Sequence, residues 1–141
     1  MSDSTITLQG WVGNEPALRQ AGPAMVASFR LGSTPRRFSR SAGEWVDDGA
    51  TQWFTVNAWR QLGENVATSL RKGDPVVVHG RLVSRPWLNQ GVETSSFEIE
   101  AVAVGHDLAR GCSQLQRNPR PQAAEPGDPW EAEAAADSRA V

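Results

Sequence analysis

One stretch of helical period stands among short alternating stretches, and this limits the fold more than any other feature of the chain. Gln61 to Lys72 places Leu62, Val66 and Leu70 at i, i+4 and i+8, and Arg71-Lys72-Gly73 suits a helix C-terminus. The other patterned stretches read as short strands, and the first of them alternates between apolar and polar residues. Ile6 to Val12 does so up to a Gly13-Asn14 turn, and Met25 to Leu31 follows Gly22-Pro23. Trp53 to Trp59 is a third run, Val76 to Arg85 a fourth and Ser95 to Val104 a fifth, with Phe97, Ile99, Ala101 and Ala103 on one side of the last. Thr34 to Ala50 is polar, Gly-dotted and basic at its start, and reads as a long loop or extended hairpin.

Five short strands with one helix between the third and fourth match an OB-fold, an all-β, five-stranded Greek-key barrel. Several other small barrels fit the same order. The 141 residues suit one domain with a tail. Composition shifts near Gly111. Residues 111–141 hold 4 of the 9 prolines, and their larger apolar side chains are only Leu115, Trp130 and Val141. Such a segment buries too little surface to offset the entropy of ordering it. The expectation is a barrel domain over 1–110 and a disordered tail over 111–141.

Charge does not announce a partner. The whole chain carries 14 basic and 16 acidic residues, a net charge of −2, and residues 1–110 hold 11 of each sign. Any claim for a polyanionic ligand therefore rests on local clustering. No apolar run is long enough to span a bilayer and no secretory signal is visible in residues 1–20, so the chain reads as cytoplasmic. Cys112 is the one cysteine, which excludes an internal disulfide and a multi-cysteine metal site.

The aromatic inventory is unusual: 6 Trp, 4 Phe and no Tyr. A small core favours Leu, Ile, Val and Phe, because a buried indole N–H needs a partner. Alternation puts Phe54, Val56 and Ala58 on one side of the third strand and Trp53, Thr55, Asn57 and Trp59 on the other. Two indoles beside two polar side chains suit a surface better than a core. The next strand along the chain has Val76, Val78, Gly80 and Leu82 inward. Its outward set is His79, Arg81, Arg85 and Trp87, with Val77 and Val83. Arg60 follows the third strand directly. Flat rings beside arginines suit single-stranded nucleic acid, since unpaired bases stack on indoles while guanidinium groups follow the phosphates. The competing reading is that these rings fill a subunit interface or pack under the 34–50 loop. Arg36-Arg37-Phe38-Ser39-Arg40 adds cations around one ring, or else is a solvated tip whose arginines pair with Glu44, Asp47 and Asp48.

Catalytic chemistry finds little support. His79 and His106 are the two histidines, and no HExxH, Gly-x-Ser-x-Gly or glycine-rich phosphate loop occurs. Neither enzyme activity nor a metal or cofactor is expected.

Several ordered motifs together resemble the bacterial single-stranded DNA-binding protein family. They are Leu8-Gln9-Gly10-Trp11-Val12-Gly13-Asn14-Glu15-Pro16, Thr51 to Trp59, Leu62-Gly63-Glu64-Asn65, Leu70 to Val76, and Gly80 to Trp87. The resemblance covers about residues 5–108. It implies a homotetramer of OB-folds that wraps single-stranded DNA without sequence preference in replication, recombination or repair. Trp53 and Trp87 fall at the family's stacking tryptophans, Trp59 at a stacking aromatic, and Phe38 in the loop bearing another. Arg36, Arg37, Arg40, Arg81 and Arg85 then look like backbone contacts, with Arg71 and Lys72 as lesser ones. Trp11 stands where the family tends to be polar or basic, and Thr55 where it is often basic.

The resemblance stops before the tail. Replicative members close on an acidic tip ending in Pro-Phe, of which Gly127-Asp128-Pro129-Trp130-Glu131 is a faint echo. This suggests an accessory paralogue, and recruitment of partner enzymes through the tail is not carried over. The alternative function is an OB-fold adaptor or assembly subunit that binds protein through its aromatic face.

Overall fold

The alternating runs close into a ring. The computed structural model describes residues 3–119, apart from the side chain of Trp87. Its elements are β1 (Thr5–Val12), β2 (Ala17–Ala21), β3 (Ala24–Ser33), β4 (Arg36–Ser39), β5 (Glu44–Asp47), β6 (Gln52–Trp59), α1 (Arg60–Ser69), β7 (Pro75–Asn89) and β8 (Val92–His106). Strand order runs β1-β7-β8-β6-β3, and β3 returns to β1 through Trp11↔Gly32 and Val12↔Leu31. Five strands therefore leave no open sheet at the seam. This is the OB-fold that the strand order suggested.

The interior follows from strand parity. Val12, Phe29, Leu31, Val56, Ala58, Val76, Val78 and Ile99 are buried on the inner faces, and α1 adds Val66, with Leu70 directly after it. Leu62 packs against the same cluster, so the i, i+4, i+8 spacing places all three on the core face. Gly63 lets the helix approach closely, because a Cβ there would lie 2.3 Å from the carbonyl oxygen of Ala58.

Several expected boundaries shift. The helix ends at Ser69 and not Lys72, because Leu70 is extended (φ −98°, ψ 144°). The chain then turns: Asp74 Oδ2 accepts from the Arg71 N–H at 3.0 Å, and Gly73 at φ +93° donates to the Val12 carbonyl at 2.7 Å. His106 Nε2 lies 3.1 Å from the same Asp74 oxygen, fixing the turn from the other side. Three strands go beyond the five expected, two of them in the extended hairpin that residues 34–50 suggested. β2 pairs along β3 as a sixth strand, and the 34–50 segment forms the separate β4–β5 hairpin.

The last two strands are longer than expected, and the face assigned to one residue reverses. β7 and β8 pair from Val76↔His106 to Asn89↔Val92. β8 touches β6 only over Thr55–Asn57, so β7 and β8 continue past the ring as a two-stranded arm. Phe97, opposite Ser84 on that arm, is 54% exposed and lies beyond the core. Register slips between His79↔Ala103 and Gly80↔Ala101, leaving Val102 bulged out. Parity flips there: Ala103 is exposed, and Val104 takes the inward position in its place.

Residues 111–119 carry neither helix nor strand, and Asn118 exchanges side-chain amide hydrogen bonds with Asn65 of α1 at 2.8 and 3.2 Å. The remainder of the expected tail, including Trp130, lies outside the described residues. Among the described residues no helix is long and apolar enough to cross a membrane.

Candidate nucleic-acid interface

The outward face of β6 carries the two indoles as its alternation requires. Trp53 is 47% and Trp59 39% exposed, with Thr55 and Asn57 between them. Across the sheet, Trp53 lies opposite Gly32, which in turn lies opposite Trp11. That glycine is a seat between two rings. A Cβ on it would fall 2.8 Å from Trp11 Cε2 and 3.0 Å from Trp53 Cζ3. Gly13 serves Trp53 alike, with a Cβ position 2.5 Å from Cζ3. Freed of side chains beneath them, the two indoles meet edge to face, centroids 6.1 Å apart at 81°. Arg30, outward on β3 between the buried Phe29 and Leu31, holds its guanidinium carbon 5.6 Å from the Trp53 ring centroid.

Trp59 is held differently. Its indole N–H donates to Glu100 Oε2 at 2.7 Å. Asn57, buried beside it, accepts from Ser28 Oγ at 2.7 Å and donates to Glu98 Oε1 at 3.0 Å. Arg85 bridges both carboxylates, through Nε to Glu98 and through Nη2 to Glu100 at 3.1 Å. One guanidinium thus offsets part of the charge of two largely covered acids, one of which holds the ring.

The two strands with aromatic outward faces, β6 and β7, are not neighbours, because β8 runs between them and inserts Glu98 and Glu100. Arg81 lies directly opposite Glu100, and Arg85 opposite Ser96. Trp87 lies opposite Thr94 on the arm, and its side chain is outside the description.

The β4–β5 hairpin divides the basic cluster. Arg36, Phe38, Trp45 and Asp47 share one face, and Arg37 stands on the other. Phe38 and Trp45 pack edge to face at 5.9 Å. Arg36 lies 3.4 Å from Asp47 and Arg37 3.5 Å from Asp48, so both are engaged within the hairpin, while Arg40 is exposed in its turn. Arg60 is exposed at the start of α1 with φ +60°, a left-handed conformation that bends the chain from strand into helix.

The arrangement offers rings and cations, and nothing in it resembles a reaction centre. Among the described residues no three His, Cys, Asp or Glu side chains gather as a metal site. Cys112 is exposed.

Residues 3–107 match the single-strand binding protein family. The chain belongs to that family. As a single-strand binding family member it falls among non-enzymatic proteins. It is 44% identical over 122 residues to a single-stranded DNA-binding protein of Corynebacterium glutamicum, covering 85% of this chain and 54% of that one. A single-stranded DNA-binding protein 2 of Tropheryma whipplei is 47% identical over 113 residues, 79% of this chain and 74% of its own length. Among solved structures, the small single-stranded DNA-binding protein of Streptomyces coelicolor superposes with a TM-score of 0.71 at 43% identity, covering 79% of this chain and all of that one. The second such protein (SSBb) of Mycobacterium smegmatis gives 0.62 at 31% identity, over 82% of this chain and all of its own.

For this family member, the sequence reading did not single out Arg30 or the carboxylates Glu98 and Glu100. Arg30 was legible from parity alone, as the one charge between two core residues of β3. The carboxylates were not, since their neighbours are set by a parallel β6–β8 pairing between strands some 40 residues apart along the chain.

Proposed function

We propose that the chain binds single-stranded DNA without sequence preference, by stacking bases on exposed indoles and following phosphates with arginines. The observation that carries this is the pair Trp53 and Trp59, exposed on one face of β6 with the Arg30 guanidinium over Trp53. Every base has a stacking face, so this geometry tolerates any sequence. Phe38 and Trp87 extend the ring set. Arg36, Arg37, Arg40, Arg60 and Arg81 supply phosphate contacts, with Arg85 contributing once its carboxylates are satisfied elsewhere. The relatives' names support this reading, as does membership of their family. The chain then acts as a homotetramer of the cytoplasm, coating DNA exposed during replication, recombination or repair.

The test is a titration of full-length protein with oligo(dT), followed by tryptophan emission at two salt concentrations, with mass measured on the same sample. Strong quenching is expected, with log affinity falling against log salt at roughly −0.7 per phosphate contacted. Folded protein that shows no quenching at low salt refutes the reading.

A second reading, a protein-binding adaptor, is favoured by the self-pairing of Arg36, Arg37 and Arg85 with carboxylates of their own chain. It requires Trp53 and Trp59 to become buried on oligomerisation alone, before nucleic acid is added.

A further inference from the structure

Trp11 belongs to two features at once. Its edge meets Trp53, and it also lines an open groove between β1 and the β4–β5 hairpin. Trp45, 61% exposed, stands along that groove, with Gln9 and Thr34 supplying polar groups. Two arginines, Arg36 and Arg110, and two carboxylates, Asp47 and Asp107, also line it. The Arg36 guanidinium lies 3.4 Å from Asp47, and Asp107 Oδ1 accepts from the Ala109 N–H at 3.0 Å. The groove is therefore aromatic and balanced in charge, a seat for a flat heterocycle edged with hydrogen-bonding groups.

We propose that Trp11 and this groove form a further subsite for an unpaired nucleobase, continuous with Trp53, so that the strand leaves the β6 face and turns under the hairpin. The subsite rests on the single-stranded DNA reading above and extends it. Gly10, Gly13 and Gly32 are what make it available. A side chain on Gly32 or Gly13 would fill the space the indoles occupy, and one on Gly10 would strike the Gly32 carbonyl oxygen.

The experiment photocrosslinks full-length protein to oligo(dT) carrying 5-bromodeoxyuridine, maps the modified peptides, and measures affinity for Trp11→Ala, Trp11→Phe and Trp53→Ala. Adducts are expected at Trp11 or Trp45 as well as on the β6 face. Trp11→Ala is expected to weaken binding roughly five- to 150-fold, the loss of one stacked base. Its salt slope should match the unmodified protein, because no phosphate contact is lost. Trp11→Phe, which keeps a ring, should recover most of the affinity, and this separates stacking from a fold defect in the alanine variant. The proposal is overturned if adducts stay on the β6 face while Trp11→Ala binds normally. It also fails if that variant lowers the salt slope, or if Trp11 in the free protein is already shielded from iodide by a second copy of the chain. Should Trp53→Ala also bind normally and no adduct form anywhere, the DNA-binding reading itself fails, which is a distinguishable result.

Discussion

Gly32→Ala separates the aromatic seat from the fold that carries it. The added Cβ would lie 2.8 and 2.9 Å from two ring atoms of Trp11 and 3.0 Å from Trp53 Cζ3. Contacts below 3.0 Å force movement, and here the atoms that must move are the far ends of side chains. Turning one indole off its rotamer costs about 0.5–1.5 kcal/mol. Breaking the edge-to-face pair costs about 0.5–1.5 kcal/mol more. Removing a glycine from a strand returns about 0.5–1 kcal/mol. The net loss of stability is then roughly 0–2.5 kcal/mol, a fall in melting temperature below about 20 °C for a domain of this size. Displacing one stacking ring should meanwhile weaken oligo(dT) binding by about 1–3 kcal/mol, and tryptophan quenching should shrink with it. Gly10→Ala provides the contrast: its Cβ would fall 2.1 Å from the Gly32 carbonyl oxygen, which is backbone and cannot rotate away. That variant should lose the β1–β3 closure and unfold at far lower temperature. Thermal melts and fluorescence titrations of the two variants check both halves. A folded Gly32→Ala that binds and quenches like the unmodified protein would refute the seat, as would a melt as low as that of Gly10→Ala.

Gly63→Ala tests packing against propensity. An exposed helix would gain about 1 kcal/mol from the change, but a Cβ 2.3 Å from the Ala58 carbonyl must push α1 off the barrel, so chemical denaturation should show a loss of about 1–3 kcal/mol. Ile99→Val removes one methylene from a fully buried site where β6, β7 and β8 meet, and the same assay should give a loss of about 0.5–1.5 kcal/mol. Arg85→Ala strands Glu98 and Glu100, whose side chains are only 16% and 17% exposed. Because Arg85 itself is largely solvated, the expected cost is about 1 kcal/mol, recovered when Glu98→Gln and Glu100→Gln are added. Asp47→Asn with Asp48→Asn releases Arg36 and Arg37, so oligo(dT) affinity should rise and the salt slope steepen by about 1.

What the sequence made legible was local, and what it hid was set by register. Period two placed Trp53 and Trp59 outward and Val56 and Ala58 inward, and period 3.6 put Leu62 and Val66 on the core, because side-chain direction is fixed by backbone geometry alone. The Val102 bulge carries no such signature: nothing in Ala101-Val102-Ala103-Val104 favours a slip at one residue over the next, and only pairing with His79 and Gly80 decides it. The same limit concealed the chemistry between the two aromatic strands. The barrel threads β8 between β6 and β7 and sets Glu98 and Glu100 beside Trp59. Carboxylates on a face proposed to meet a polyanion look like a defect until their partners are counted. Arg85 cancels part of their charge, and Glu100 uses its remaining oxygen to hold the Trp59 N–H, so the ring is oriented before any base arrives. A preorganised ring loses less side-chain entropy on binding than a free one. On that ground Glu100 aids stacking through orientation even as its charge opposes the phosphates, and exchanging it for glutamine, which keeps an acceptor and drops the charge, should strengthen binding where alanine would weaken it.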